Sequence, residues 1–179
     1  MRANTFWVSG PWRGRLGIVL RPRGGDWLID EMKAWRQSGI DHVVSLLEAD
    51  EQTQLDLQDE ARAAADNGLA FTGFPVPDRG VPASDASTAA LVRGIIAELE
   101  RGRTVVVHCR QSVGRSALLV GAVLVAEGDD VRTALETIQT TRGLAVPETD
   151  EQRQWLRDFA TREAHESAAQ HRAPLGRRR

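Results

Sequence analysis

The stretch Val105-Val106-Val107-His108-Cys109-Arg110-Gln111-Ser112-Val113-Gly114-Arg115-Ser116 holds the chain's only cysteine and decides how the rest is read. A β-branched apolar run ends in His-Cys, a short loop follows, and Arg-Ser then opens a second apolar run. That order reads as strand, tight loop and helix. Backbone N–H groups in such a loop can converge on one anion. The helix N-terminus beneath adds partial positive charge and further unpaired donors. Arg115 supplies a planar guanidinium that grips two phosphate oxygens at once. The field that attracts a phosphate also stabilises a thiolate at Cys109. Taken singly, each residue has an ordinary explanation. A lone cysteine is more often a small buried hydrophobe, His108 a strand-end histidine and Arg115 a solvated helix start. At this spacing, with Gly114 in the turn and a Ser116 hydroxyl able to donate to the sulfur, the chemical reading outweighs them. A nucleophile and an anion cradle share residues 109–115, the layout needed for attack on a phosphate ester.

Working outward, apolar patterning predicts strands at Leu16–Leu20, His42–Leu46, Leu69–Phe74 and Thr104–His108. Helices are predicted at Trp27–Gln37, Thr53–Asn67, Ser84–Glu100, Arg115–Glu127, Val131–Thr141 and Thr149–Ala164. Asp129 or Asp130 caps the fifth of these, and Asn67-Gly68 ends the second. The alternation implies a single α/β domain, residues 1–164, with a mostly parallel central sheet flanked by helices. The cysteine then falls at the carboxyl end of a central strand, where open α/β sheets bind ligands. Residues 165–179 lose apolar periodicity, end in Arg177-Arg178-Arg179 and are expected to form a disordered basic tail.

Upstream, Phe74-Pro75-Val76-Pro77-Asp78-Arg79-Gly80-Val81-Pro82 is too rich in proline and glycine for a helix or central strand. It places Asp78 in a loop, 31 residues before the cysteine. Alone, Asp78 would be read as a turn former.

His-Cys-x5-Arg-Ser resembles the phosphate-binding loop of the cysteine-dependent protein tyrosine phosphatase superfamily. Pro77-Asp78-Arg79-Gly80-Val81-Pro82 resembles that family's acid loop. Gly14-Arg15-Leu16-Gly17-Ile18, then Gly39-Ile40-Asp41-His42-Val43-Val44-Ser45-Leu46-Leu47, looks like the opening of compact dual-specificity members. The likeness is greatest to the kinase-associated, cyclin-dependent kinase inhibitor 3 type, and it spans about Trp12 to Phe159. The resemblance implies a protein tyrosine phosphatase-like fold and hydrolysis through a phosphocysteine intermediate. It implies Cys109 as nucleophile and Asp78 as general acid, then base. His108 would activate the thiol from the strand end, and Ser116 would assist the departing thiolate. The backbone of Arg110, Gln111, Ser112, Val113, Gly114 and Arg115 would hold the phosphate, together with the Arg115 side chain. Many relatives carry a glutamine that positions the hydrolytic water and a second glutamine four residues on. Here those positions hold Glu148 and Gln152, which stand as secondary candidates, since a carboxylate also suits a first helical turn.

Composition narrows the class. Net charge is −2 and Lys33 is the only lysine, so no electrostatic case arises for nucleic acid or an anionic membrane surface. A single cysteine excludes an internal disulfide. The longest apolar stretch, Ala117 to Ala126, is half of the ~20 residues a bilayer span requires, and a cytoplasmic location is expected. No metal or organic cofactor is implied. The expected substrate is a phosphorylated protein, carrying phosphotyrosine and also phosphoserine or phosphothreonine, with the oligomeric state left open. The chain has no tyrosine, which favours a shallow pocket walled by Trp12 or Trp27. Arg110 at the loop rim suits a second anionic group, so a phosphoinositide phosphatase and a phosphate-binding module with little turnover remain as alternatives. Arsenate reductases carry their cysteine loop near the N-terminus, and sulfurtransferases do not need Asp78.

Overall fold

Val105, Val106 and Val107 are wholly buried, and the sheet is built around them. The computed structural model describes residues 3–82 and 85–172. The strands are β1 (Thr5–Val8), β2 (Arg15–Val19), β3 (His42–Ser45), β4 (Ala70–Gly73) and β5 (Thr104–His108). The helices are α1 (Leu28–Gln37), α2 (Ala49–Gln54), α3 (Glu60–Asp66), α4 (Asp85–Glu100), α5 (Arg115–Ala126), α6 (Val131–Arg142) and α7 (Asp150–Arg172), with one 3-10 turn at Gly25–Trp27. Strand order is β1-β2-β5-β3-β4, with β5 in the middle. β2, β5, β3 and β4 run parallel, and only β1 is antiparallel, against β2. The expected mostly parallel α/β sheet is what forms.

Alternation along β5 sends Val105 and Val107 into one core with α4, α5, α6 and α7. Val106 goes into a second core with α1 and α3. Both faces of the sheet are therefore covered, which is why its strands read as unbroken apolar runs. α5 is buried at every residue from Arg115 to Val125, so its apolar stretch is a core helix. Among the described residues no helix is long and apolar enough to cross a membrane. Asp130 caps α6, its carboxylate accepting the Thr133 N–H at 3.0 Å, and Gly143 closes that helix in the left-handed conformation.

Three expectations need correction. The helix predicted over Thr53–Asn67 is two helices, α2 and α3, separated by a turn in which Asp56 has a φ of 54°. The carbonyl of Asp56 accepts the Gly25 N–H at 2.9 Å, and Leu57 is drawn fully into the core; one continuous helix allows neither. The Phe6-Trp7-Val8 run forms an extra strand, β1, because it has the exposed edge of β2 to pair with. α7 continues to Arg172, past the predicted end at Ala164, through a stretch of good helix formers. Residues 173–179 of the expected tail lie outside the described residues, as does Ser84, the predicted start of α4.

Candidate active site

The loop from Cys109 to Gly114 joins the end of β5 to α5, and its shape follows from a few anchors. Ser112 has a φ of 55°, and its hydroxyl donates to the Val19 carbonyl at the end of β2, at 2.6 Å. This strained serine folds the loop back so that its own N–H points at the Cys109 sulfur, at 3.2 Å. The Ser116 Oγ lies 3.6 Å from the same sulfur, from the first turn of α5. Cys109 is only 2% exposed, and the Ser112 N–H and the Ser116 hydroxyl both approach its buried sulfur.

Arg115 opens α5 and is itself buried. Its two Nη atoms donate in a fork to Glu51 of α2, at 2.6 and 2.8 Å, and Nη1 also donates to the Val76 carbonyl at 3.0 Å. Nη2 donates to Asp78 Oδ1 at 3.0 Å. Burial pushes the Glu51 carboxyl up, but the hydrogen bonds and charge of Arg115 outweigh it and hold Glu51 below the ordinary carboxylate range. Burial likewise pushes Arg115 down, and Glu51, Cys109 and Asp78 together raise it above its ordinary value.

Asp78 sits in the proline-rich loop, its side chain mostly exposed. Arg79 has a φ of 58°, and a turn from Gly80 N–H to the Pro77 carbonyl at 2.8 Å shapes the tip. The Asp78 N–H donates to Glu48 Oε2 at 3.2 Å. Glu48 caps α2 in a reciprocal box with Glu51. The acid loop, the α2 cap and the arginine are thus joined in one ring of contacts: Asp78 to Glu48, Glu48 to Glu51, Glu51 to Arg115, and Arg115 back to Asp78.

The remaining candidates fall around this ring. His108, the last residue of β5, is fully buried with its Nε2 2.8 Å from Glu60 Oε1. Arg110 reaches over the rim to donate to Gln54 Oε1 at 2.9 Å. Gln111 is exposed, Val113 half-buried and Gly114 buried. A Cβ on Gly114 would collide with the Glu148 carboxylate and stand 3.0–3.1 Å from the Gln152 amide, so glycine here admits both side chains. Gln152 is fully buried, accepts the Glu148 N–H at 3.1 Å and donates to the Gly80 carbonyl at 3.0 Å. It therefore braces the start of α7 against the acid loop. A second buried guanidinium, Arg142 of α6, lies 3.8 Å over the Phe6 ring. Burial lowers its pKa, and the charge of Cys109 opposes that shift.

With that geometry in place, comparison with known proteins is direct. A family model described as "Polymorphic toxin system, DSP-PTPase phosphatase" (Tc-R-P) matches residues 19–129, more than half of the chain. The chain belongs to this DSP-PTPase family. The match runs from the β2 end that anchors Ser112, through the acid and cysteine loops, to the end of α5. The chain is 28% identical over 94 residues to a cyclin-dependent kinase inhibitor 3 from Sus scrofa, covering 51% of this chain and 44% of that protein. It therefore spans less than half of that relative's length. Among solved structures, a kinase associated phosphatase bearing serine for its catalytic-site cysteine superposes with a TM-score of 0.80, at 18% identity over 92% of this chain and 97% of that one. Tk-PTP in its active form gives 0.74 at 26% identity, over 90% and 99%. The fold and the dual-specificity phosphatase family expected from the cysteine loop are the ones found.

Neither proposed tryptophan wall forms. Trp12 lies at the opposite end of the sheet, in the β1–β2 connection, where Gly14 N–H donates to the Leu99 carbonyl. Trp27 is at the correct end but exposed. It stacks under Arg23 and lines a shallow recess on α1 with Asp30 and Lys33. Sequence reasoning missed Glu48, Glu51 and Glu60. The available signal was the acidic run Glu48-Ala49-Asp50-Glu51 directly after a strand, at the end of the sheet that carries the cysteine.

Proposed function

We propose that this chain hydrolyses phosphate monoesters on proteins through a phosphocysteine intermediate, without a cofactor of its own. Cys109 thiolate attacks phosphorus, forming an S–P bond as the ester P–O bond breaks. Loop N–H groups and the Arg115 guanidinium hold the equatorial oxygens as charge builds on them. Asp78 gives its proton to the leaving oxygen and later takes one from the attacking water. In that second step the S–P bond breaks, and sulfur leaves as a thiolate that the Ser112 N–H and Ser116 hydroxyl receive. His108 supports the nucleophile from behind. Gln152, with Glu148 beside it, fixes the wall along which water approaches. The observation that carries the reading is that the end of β5 brings together two contacts, Cys109 with Ser116 at 3.6 Å and Arg115 with Asp78 at 3.0 Å.

Phosphorylated protein is the substrate class we favour. The family and the curated relative support it, and Arg110, which donates to Gln54 and lies 4.0 Å from Glu51 at the loop rim, adds positive charge there. A cytoplasmic setting suits a chain whose function needs its single thiol reduced. The test is hydrolysis of para-nitrophenyl phosphate across pH with chelator present, for wild type and Cys109→Ser. Metal-independent turnover that vanishes in Cys109→Ser while phosphopeptide binding survives is the expected result. Turnover in the serine variant at the wild-type rate overturns the mechanism. A folded, reduced wild type with no turnover makes the chain a phosphate-reading module.

A further inference from the structure

Behind the cysteine loop, on the sheet face away from α5, two ionisable side chains are sealed from water. His108 is 0% exposed and Glu60 2%, and their Nε2 and Oε1 atoms stand 2.8 Å apart. The alignment falls short of a full hydrogen bond, so distance and burial define the contact. Among the described residues, His108 is the ionisable partner recorded for Glu60. From α1 the imidazole meets the Trp35 ring edge-on, at 6.3 Å between centroids. From β3 its register partner is Ser45, which is buried and uncharged. Along the chain the next residue is Cys109. Arg115, the nearest guanidinium of the loop, is already forked onto Glu51. Glu60 is thus the charged group facing His108 among the described residues.

A carboxylate so deeply buried is costly unless a cation answers it. Glu60 opens α3, but its N–H donates to the Leu57 carbonyl and, among the described residues, neither of its carboxylate oxygens accepts a hydrogen bond, so His108 is the group that faces it. The 2.8 Å approach and the shared burial pair the α3 carboxyl with the β5 imidazole. The pair lies out of solvent, its imidazole on the residue directly before the nucleophile. The contact with His108 is the link recorded between Glu60 and the loop among the described residues.

Resting on the phosphatase reading above, we propose that Glu60 is a positioning residue for the nucleophile, holding His108 as the buried cation that keeps Cys109 in its thiolate form. The break between α2 and α3 then has a chemical role. It sends Glu51 to the arginine in front of the loop and Glu60 to the histidine behind it, so one short segment sets the charge on both sides of the cysteine.

The experiment is the pH dependence of Cys109 alkylation by iodoacetamide, in wild type, Glu60→Gln, His108→Gln and the double variant, alongside kcat/KM profiles. Glu60→Gln should move the alkylation midpoint and the acidic limb of kcat/KM upward together, by about one pH unit. His108→Gln should move them at least as far, and the double variant no further, because the two residues act through one path. A Glu60→Gln curve lying on the wild-type curve, or shifts that add in the double variant, overturns the proposal. If Glu60→Gln does not fold, Glu60→Asp keeps the charge but shortens the arm. An upward midpoint supports the proposal, and an unmoved midpoint with a lower melting temperature reduces Glu60 to packing. Alkylation needs no turnover, so a wild type inactive on every ester overturns the phosphatase reading while leaving this curve to be read.

Discussion

Arg115 is where stability and chemistry meet in one side chain. A guanidinium this buried is tolerable only because its donors are taken up by the Glu51 fork and the Val76 carbonyl. Those contacts fix the plane in which it presents Nη2 to a ligand. Asp78 occupies Nη2 in the structure, so an incoming phosphate displaces one carboxylate oxygen with another anionic oxygen, and the arginine itself need not move. Two effects of removing Glu51 oppose each other: less negative charge favours phosphate, and lost orientation disfavours it. Orientation wins, since a displacement of about 1 Å costs on the order of 10² in rate. Glu51→Ala should lower kcat/KM about 100-fold and destabilise the fold by about 3 kcal/mol, having left a buried charge without its partner. Steady-state kinetics and chemical denaturation check both; an unchanged kcat/KM would show that the Glu51 fork does not orient the arginine.

At the scale of elements, the six-residue helix α2 does more than connect. Its cap residue Glu48 accepts the Asp78 N–H and so holds the tip of the acid loop, while Phe74 and Val76 donate to the Ser45 and Leu46 carbonyls and tie the start of that loop to the end of β3. Removing the cap should free the tip of the loop without touching the acid. Glu48→Ala is expected to lower kcat about 10-fold, against ~10²–10⁴ for Asp78→Ala. For both variants the loss should shrink with an aryl phosphate whose leaving group needs no proton. A Glu48→Ala loss that is equal for activated and unactivated esters would place its effect elsewhere. This element also marks the limit of what the sequence shows. β5, α5 and the cysteine loop were legible because strand and helix periods meet there at a motif with a fixed chemical order. The acid loop was legible because proline and glycine leave few conformations. The α2–α3 segment was not, because the two-residue spacing of Leu55 and Leu57 departs from the helical period inside a polar run and the turn between them is imposed from outside, by Gly25 and the core. Glu51 and Glu60 were hidden with it. A carboxylate in a polar run reads as surface until the fold shows it meeting an arginine or a histidine. β1 was missed for a similar reason: a four-residue edge strand takes its identity from its neighbour.

Across the whole molecule, ionisable groups tie the parallel strands together and set how stability changes with pH. His42 on β3 contacts Thr72 Oγ1 on β4 at 2.9 Å, and it is half-buried. Burial lowers its pKa, with Arg103 adding to the effect and Glu98 opposing it. The folded state therefore binds fewer protons at His42 than the unfolded chain, so stability is full above the ordinary histidine value of about 6.5 and falls below it. Asp41 accepts the Thr104 N–H at 2.9 Å and pairs with Arg36, pinning the start of β5. Burial pushes Asp41 up, but those hydrogen bonds win and lower it, as Arg115 does for Glu51. Both carboxylates stabilise the fold above their unfolded values, near 4, and lose that contribution as pH falls further. All three signs point the same way, at two different heights. The melting temperature should hold from about pH 8 to 7, decline gently through about pH 6, and drop steeply below about pH 4. In thermal melts followed across this range, His42→Gln should flatten the upper decline and Glu51→Gln the lower fall, each leaving the other in place. A His42→Gln protein that keeps the gentle decline would mean that another group, outside the β3–β4 contact, is taking up the proton.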